Sequence, residues 1–431
     1  MNIIRPKDRD AVIQSLRAGV VPKTGQHLIQ VGRMRELEAL IIDIDRIRDG
    51  GSSFRLIIGE YGAGKTFFLN LVRAIALEKK LVTVHADLNP DRRLHASGGQ
   101  ARSLYAELAR SISTRTKPEG GAMPGIVEKF IFEATSEAKS NGKAADEIIR
   151  TRLMQLTEMV NGYDFADVIA AYYKAFEEGN DSLKAAAIRW LRGEFTTKTD
   201  ARAALGVRTI VDDASIYDQL KLLGRFVRLA GYGGLMICLD ELVNLYKLAN
   251  TQARQSNYEQ ILRILNDSLQ GSATGMGFVL GGTPDFLLDT RRGLYSYPAL
   301  QSRLVENSFA TGGLVDLSGP IIRLSNLTPE DFFVLLQKIR DVYAFGDSER
   351  YLIPDEAISA FMKHCSERLG DSYFRTPRTT ITAFVNLLAV LDQNPGTEWQ
   401  TLLGGLDVEK DCGADVERAF SKDDELASFQ L

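Results

Sequence analysis

The sequence has little of what disulfide-rich, metal-binding or membrane proteins need. Its 431 residues include only three cysteines, Cys238, Cys365 and Cys412, and these lie far apart. This spacing excludes a disulfide framework and a close-set cysteine metal site. No run approaches the roughly 18 consecutive apolar residues of a membrane-spanning helix, and the first ten residues lack the apolar core of a signal peptide. We therefore expect a cytoplasmic protein with no membrane partner.

The sequence also lacks a strong excess of either charge. The net charge is −4, from 52 Lys and Arg against 56 Asp and Glu. The end of the chain, from Asp407 onward, holds eight of the acidic and three of the basic residues, so the remainder is almost neutral. This balance argues against a uniformly basic surface but leaves room for a local nucleic-acid track.

Hydrophobic periodicity predicts an α/β fold with a parallel sheet flanked by helices. Four buried strands are expected, within the runs FRLII, LVTVHADL, LMICLD and MGFVLGG. Asp240 lies 174 residues after Thr66 (240 − 66), whereas one strand and two helices would need only about 50–60 residues. The residues from about 99 to 230 are almost wholly helical. We therefore predict a large helical insertion there. Residues 321–395 alternate helical segments and predict an all-helical domain.

The run GEYGAGKT, residues 59–66, matches the phosphate-loop pattern G-x-x-x-x-G-K-[ST]. Small residues let backbone N–H groups curl around phosphates, and the N-terminus of the following helix adds partial positive charge. A credible strand precedes the run and a credible helix follows it, which makes a chance glycine turn improbable. The pattern predicts that Lys65 contacts the β- and γ-phosphates of ATP and that the Thr66 hydroxyl binds Mg²⁺. The full set of predicted nucleotide contacts here is Gly59, Glu60, Tyr61, Gly62, Ala63, Gly64, Lys65, Thr66 and Phe67.

The run LMICLDE predicts the catalytic carboxylates. It is a buried strand that ends in Asp240 and Glu241. We expect Asp240 to bind Mg²⁺ and Glu241 to polarise the attacking water. The alternative is that the acidic pair only caps a helix, but the accompanying phosphate loop favours the catalytic interpretation.

Polar residues after the fourth strand form a second group of candidates. Thr283 lies where a hydroxyl would meet the γ-phosphate or the attacking water, or else it only forms a Gly-Thr-Pro turn. Arg291, Arg292 and Arg303 follow it, and one of them is a candidate for reaching the nucleotide of a neighbouring subunit. Solvent exposure without a role is the usual fate of an arginine.

The helical last third contributes one further candidate. Arg378 opens a predicted helix in YFRTPRTT, where its charge opposes the helix dipole, and an anionic partner such as phosphate would explain it. Arg375 competes with it, and simple exposure of both is the alternative.

The order of these motifs resembles that of an AAA+ ATPase. The preceding run VGRMRELEAL, residues 31–40, resembles the box found in the initiator (Orc/Cdc6-like) branch. The chain more closely resembles the ATP-binding proteins of bacteriophage-exclusion (BREX) anti-phage defence systems. That likeness is carried by IRPKDRDAVIQSLRAGVVP at the start, RWLRGE, AGYGGLMICLDEL and GGTPDF.

The resemblance implies ATP hydrolysis at the interfaces of a homo-oligomer, with Thr283 as sensor 1, Arg303 as the arginine finger and Arg378 as sensor 2. It also implies a defence role beside a large helicase, with DNA as a binding partner. Initiators usually end in a winged helix that grips duplex DNA, but only about 35 residues follow the lid here, and this tail carries net negative charge. We therefore expect any DNA contact to come from the ATPase domain or its insertion.

The predicted organisation has four parts. They are an N-terminal helical segment (1–50), a nucleotide-binding domain (51–320) with its insertion (about 99–230), a helical lid (321–395) and a short acidic tail (396–431).

The stretch AAAIRWLRGEFTTKTDARAALG, residues 185–206, closes the insertion. Trp190, with Arg189 and Arg192 beside it, suits a nucleic-acid backbone or a partner protein. The alternative is that Trp190 anchors a helical core while the arginines point outward. The polar run 194–202 predicts a mobile or partner-ordered loop.

Two functional alternatives to the ATPase remain. One is a scaffold or switch that binds partners in the ATP state with little hydrolysis. The other is a small-molecule kinase or transferase built on a phosphate loop, against which the Asp-Glu pair and the distal arginines argue.

Overall fold

The computed structural model describes residues 4–310, 314–369 and 377–404 and contains a five-stranded sheet. The strands are β1 (Ser52–Gly59), β2 (Val82–Asp87), β3 (Leu235–Asp240), β4 (Met276–Gly282) and β5 (Ile321–Leu324). Their order across the sheet is β2-β3-β4-β1-β5, and the β2–β3, β3–β4 and β4–β1 pairs are parallel. The carboxyl ends of these four strands therefore lie at one edge of the sheet.

Helices flank the strands along the chain. The first four are α1 (Pro6–Arg17), α2 (Gln26–Ile29), α3 (Met34–Arg48) and α4 (Lys65–Glu78). The insertion between β2 and β3 contains α5 (Gln100–Arg110), α6 (Met123–Asn141), α7 (Ala145–Thr157), α8 (Gly162–Glu178), α9 (Asp181–Leu191), α10 (Lys198–Leu205) and α11 (Ile216–Leu229).

The remaining helices follow the third strand. Between β3 and β5 lie α12 (Val243–Tyr246), α13 (Thr251–Leu269), α14 (Pro284–Leu288) and α15 (Pro298–Arg303). After β5 come α16 (Pro329–Tyr343), α17 (Asp355–Leu369), α18 (Pro377–Gln393) and α19 (Trp399–Gly404). Short 3-10 turns occupy Leu294–Ser296 and Ser348–Arg350. None of the helices in the described ranges is long and apolar enough to cross a membrane.

The described residues form two compact units. One comprises residues within 35–58 and 72–322, and the other comprises residues within 1–34, 59–71 and 323–431. The first contains most of the sheet and the insertion, and every residue of β3 is buried there. Continuous apolar runs such as LMICL form its strands because a parallel sheet is covered on both faces. The second is built on a helical core, in which the Phe361 and Phe384 rings lie 5.2 Å apart.

The four predicted strands are all present, but the sequence analysis missed β5. Residues 321–324 were assigned to helical segments, whereas the structure has a strand there beside β1. The prediction was wrong because IIRL is too short for its pattern to separate a strand from a helical turn.

Trp190 is a core residue of the insertion. It is 1% exposed, its ring lies 6.1 Å from the Phe165 ring, and its indole N–H donates to the Thr209 carbonyl oxygen at 2.8 Å. Asp164 holds the same segment by accepting from the Thr209 backbone N–H and hydroxyl, each at 2.6 Å. The tryptophan therefore anchors the helical core, and its face does not meet solvent or a partner.

The predicted loop at 194–202 is partly helical. Helix α10 begins at Lys198, and the Thr197 hydroxyl accepts from the Asp200 N–H at 3.1 Å. The prediction was wrong because the threonine-rich composition obscured a Thr-x-x-Asp start signal, in which the first side chain caps the helix.

Candidate nucleotide-binding site

The phosphate-loop motif forms a tight turn between β1 and α4. Gly62 and Gly64 adopt φ values of 81° and 79°, a region that favours glycine. A Cβ at Gly59 would lie 3.0 Å from the Leu324 carbonyl oxygen, a tight contact that favours glycine where the loop leaves the strand. By contrast, a Cβ at Gly64 would meet nothing within 4 Å, so only the backbone conformation requires glycine there.

Lys65 is the first residue of α4, and its side chain lies over the loop. Its Nζ donates to the carbonyl oxygens of Gly59 at 2.9 Å and Glu60 at 3.0 Å. Thr66 follows in the first turn of α4 and is exposed. The loop thus offers an ammonium group, a hydroxyl and the open N-terminus of a 14-residue helix, which together suit a phosphate chain.

Asp240 ends the buried strand β3 and is itself only 6% exposed. Its Oδ1 accepts from the Glu241 backbone N–H at 2.9 Å. The turn that follows is tied to both neighbouring strands, because the Leu242 N–H donates to the Gly281 carbonyl and the Asp240 carbonyl accepts from the Leu88 N–H. The carboxylate is thereby held at the carboxyl edge of the sheet.

Glu241 is exposed and has a φ of 57°. A left-handed conformation costs an L-residue with a Cβ about 1–2 kcal/mol. Such strain persists where the surrounding structure enforces it, and it concentrates at functional sites. The hydrogen bonds on either side of Glu241 enforce it here. The alternative that the acidic pair only caps a helix is not supported at α12. The N-cap of this four-residue helix is Leu242, and no side chain caps it.

Asp87 is an acidic residue at this edge that the sequence analysis missed. It ends β2 and is paired in register with Asp240. Desolvation raises the pKa of Asp87, and the charge of Asp240 raises it further. The sequence does place an aspartate near the end of the second predicted strand, in the letters HAD of LVTVHADL. Only the order of the strands in the sheet makes Asp87 a neighbour of Asp240.

Thr283 directly follows β4 and caps α14. Its hydroxyl accepts from the Phe286 backbone N–H at 3.4 Å. The Gly-Thr-Pro turn considered above is therefore real. Because β4 lies between β3 and β1, Thr283 also leaves the sheet at the edge where β3 delivers Asp240.

The three arginines after β4 have different surroundings. Arg303 ends α15 and is exposed, with its Nε donating to Asn266 Oδ1 at 2.7 Å and Nη1 to the Ala299 carbonyl at 2.9 Å. The Arg292 guanidinium lies 5.4 Å from the centre of the Tyr246 ring. Arg291 is exposed, and its backbone N–H donates to Asp289 Oδ1 at 2.7 Å. Arg303 is thus an exposed guanidinium with a defined orientation.

Arg378 is an exposed residue in the first turn of α18. Its methylene groups lie against the backbone of Gly19, where a Cβ would approach them to 3.4 Å. Arg375, its competitor, lies outside the described residues.

Arg33 is a second residue that the sequence analysis did not single out. Its Nη2 donates to the carbonyl oxygens of Ala63, at 2.6 Å, and Ser325, at 3.0 Å. The first of these acceptors belongs to the phosphate loop itself.

The donor set suits magnesium. Across the described residues, no group of three or more His, Cys, Asp or Glu side chains could hold a metal ion alone. Mg²⁺ rarely uses such a cage, because it binds one or two protein oxygens together with phosphate oxygens and water. The Thr66 hydroxyl and the buried Asp240 carboxylate are oxygen donors of this kind.

Comparison with known proteins identifies the family. A comparison with curated proteins gives no match. A family model described as "BREX system ATP-binding protein BrxC/D" matches residues 4–407, which is nearly the whole chain. The likeness found in the sequence is therefore confirmed: the chain belongs to the ATP-binding protein family of BREX anti-phage systems.

Proposed function

We propose that this chain hydrolyses ATP, and that the turn at Asp240 and Glu241 is the catalytic centre. The observation that carries the proposal is the strained Glu241 backbone beside a buried carboxylate at the carboxyl edge of a parallel sheet. Ligands of open α/β sheets bind at this edge. The phosphate loop follows β1 and Thr283 follows β4, whose carboxyl ends belong to the same edge.

Each residue has a defined role in the proposed reaction. Loop N–H groups and Lys65 bind the β- and γ-phosphates, and Thr66 and Asp240 hold Mg²⁺, which neutralises charge that develops on the phosphate oxygens. Glu241 orients a water molecule and accepts a proton from it while the water oxygen forms a bond to the γ-phosphorus. The bond from that phosphorus to the β–γ bridging oxygen breaks, which yields ADP and inorganic phosphate. The Thr283 hydroxyl is a donor for the γ-phosphate or the water.

We further propose that ATP turnover occurs at the interface of a homo-oligomer, with Arg303 supplied to the nucleotide of a neighbouring copy. The exposed guanidinium and its fixed orientation support this role. An arginine supplied in trans stabilises charge on the transferring phosphoryl group. The work done by turnover would be binding or remodelling of DNA, or loading of a helicase partner. The resemblance of residues 31–40 to the box of the initiator branch is the reason for this extension.

The test measures phosphate release by the purified full chain with ATP and Mg²⁺. Glu241→Gln and Lys65→Ala should each reduce the rate by at least 100-fold, the first with ATP binding retained and the second with binding weakened. Glu259→Gln is the matched control, because Glu259 is an exposed glutamate within α13 that has no role in the proposed reaction. Equal rates for Glu241→Gln and the control would contradict the proposal. ATP binding without release by the unmodified chain would favour the nucleotide-gated scaffold.

A further inference from the structure

The chain turns sharply just before α3, at Gly32 and Arg33. Both residues are left-handed, with φ values of 64° and 62°. Glycine adopts this region freely, but arginine does so only at a cost. A strained non-glycine residue persists where its surroundings require it, which directs attention to what the Arg33 side chain does.

The Arg33 side chain joins the phosphate loop to the end of β5. Its Nη2 donates to the Ala63 carbonyl at 2.6 Å and to the carbonyl of Ser325, one residue past β5, at 3.0 Å. Ala63 is buried, and a Cβ added at Gly59, where the loop begins, would lie 3.0 Å from the Leu324 carbonyl oxygen. The Arg33 side chain therefore links the phosphate loop to the residue that follows β5.

The hydrogen bond from Arg33 to the Ala63 carbonyl fixes the direction of the next backbone N–H group. In a trans peptide, the carbonyl and the following N–H point in opposite directions. Arg33 binds the Ala63 oxygen, so the Gly64 N–H is turned away from the guanidinium. In a phosphate loop, backbone N–H groups must face the anion, and the guanidinium keeps this peptide from flipping.

The turn that contains Arg33 is itself held by hydrogen bonds. The Gln30 side-chain amide donates to the Gly32 carbonyl at 2.8 Å, and Lys338 on α16 donates to the Gln30 carbonyl. Asp331, which belongs to the capping box of α16, lies beside Gly32, and a Cβ there would be in ordinary van der Waals contact with its carboxylate, at 3.5 Å. Because its own backbone is held in place, Arg33 is able to position the phosphate loop.

We propose that Arg33 is a positioning residue for ATP binding, which orients the Ala63–Gly64 peptide of the phosphate loop toward the phosphates. The proposal rests on the loop being the ATP site. It goes beyond that function because it assigns the run VGRMREL a role in orienting the phosphate loop. It also connects α16, through the turn at Gly32, to the residues that bind the phosphates. A purely structural clasp would instead stabilise the fold without affecting nucleotide affinity.

The test uses Arg33→Gly, because glycine relieves the backbone strain while removing the tether. Arg35→Ala is the matched control, since Arg35 is an exposed arginine two residues away. Binding of a fluorescent ATP analogue, the melting temperature without nucleotide, and KM and kcat for ATP are measured on the full chain. We expect Arg33→Gly to weaken binding at least tenfold and to raise KM more than it lowers kcat, at a melting temperature within a few degrees of the control. Arg33→Lys should recover only part of the affinity, because it lacks the planar fork.

Two results would overturn the proposal. One is control-like affinity in Arg33→Gly. The other is weakened binding in both Arg33→Gly and Arg33→Lys that only parallels a fall in their nucleotide-free melting temperatures. Lys65→Ala separates this failure from failure of the ATP site. If Lys65→Ala binds ATP normally, the phosphate loop is not the site and the proposed function fails as well.

Discussion

Replacement of Glu241 by glycine should stabilise the protein relative to replacement by alanine. The reason is the backbone at this position, whose φ of 57° is left-handed. Alanine keeps the Cβ and its cost of about 1–2 kcal/mol. Glycine removes that cost but loses about 0.5–1 kcal/mol through its greater freedom in the unfolded chain. The glycine variant should therefore be more stable by about 0.5–1 kcal/mol.

The same pair of substitutions at Glu259 supplies the control. Glu259 is exposed within α13, a regular helix. There, glycine should be less stable than alanine by about 1 kcal/mol, so the sign reverses. Urea denaturation of the four nucleotide-free variants measures both differences. If Glu241→Gly is less stable than Glu241→Ala, the claim that the backbone is strained at this position is wrong.

Three further predictions concern the insertion and the loop before β5. Trp190→Ala should cost about 3–5 kcal/mol in urea denaturation, and Trp190→Phe less, because the indole is a core group; a cost of under about 1 kcal/mol would contradict its role as an anchor. Thr197→Ala should cost about 1 kcal/mol through loss of the α10 cap, whereas Thr199→Ala, inside the same helix, should change stability little. Hydrogen bonds from the Ser318 hydroxyl and Asn307 lower the pKa of Asp316 to about 2. The stabilisation from ionised Asp316 is present above its unfolded pKa of about 3.9 and lost as pH falls toward 2. The urea midpoint of the unmodified chain should therefore approach that of Asp316→Asn as the pH falls from about 4 to about 2, and a constant gap would contradict this assignment.

The parts of the molecule that local sequence determines were predictable. The phosphate loop, the strand ending at Asp240 and the four long strands follow from patterns within about ten residues. Thr283 was located at a strand end by the same reasoning, although its capping bond needed coordinates.

What could not be predicted depends on contacts between distant segments. Arg33 touches Ala63 and Ser325, which are 30 and 292 residues away. Asp87 gains importance only because β2 lies beside β3 in the sheet. The burial of Trp190 depends on the packing of Phe165 and on the carbonyl of Thr209, and no local pattern distinguishes a buried tryptophan from an exposed one.

The central claim is that Glu241 drives ATP hydrolysis, and the nucleotide retained by the protein tests it most directly. The unmodified chain and Glu241→Gln are each incubated with ATP and Mg²⁺, separated from free nucleotide, denatured and examined by chromatography. The account predicts mainly ADP on the unmodified chain and mainly ATP on Glu241→Gln. ADP in equal proportion on both proteins would contradict it.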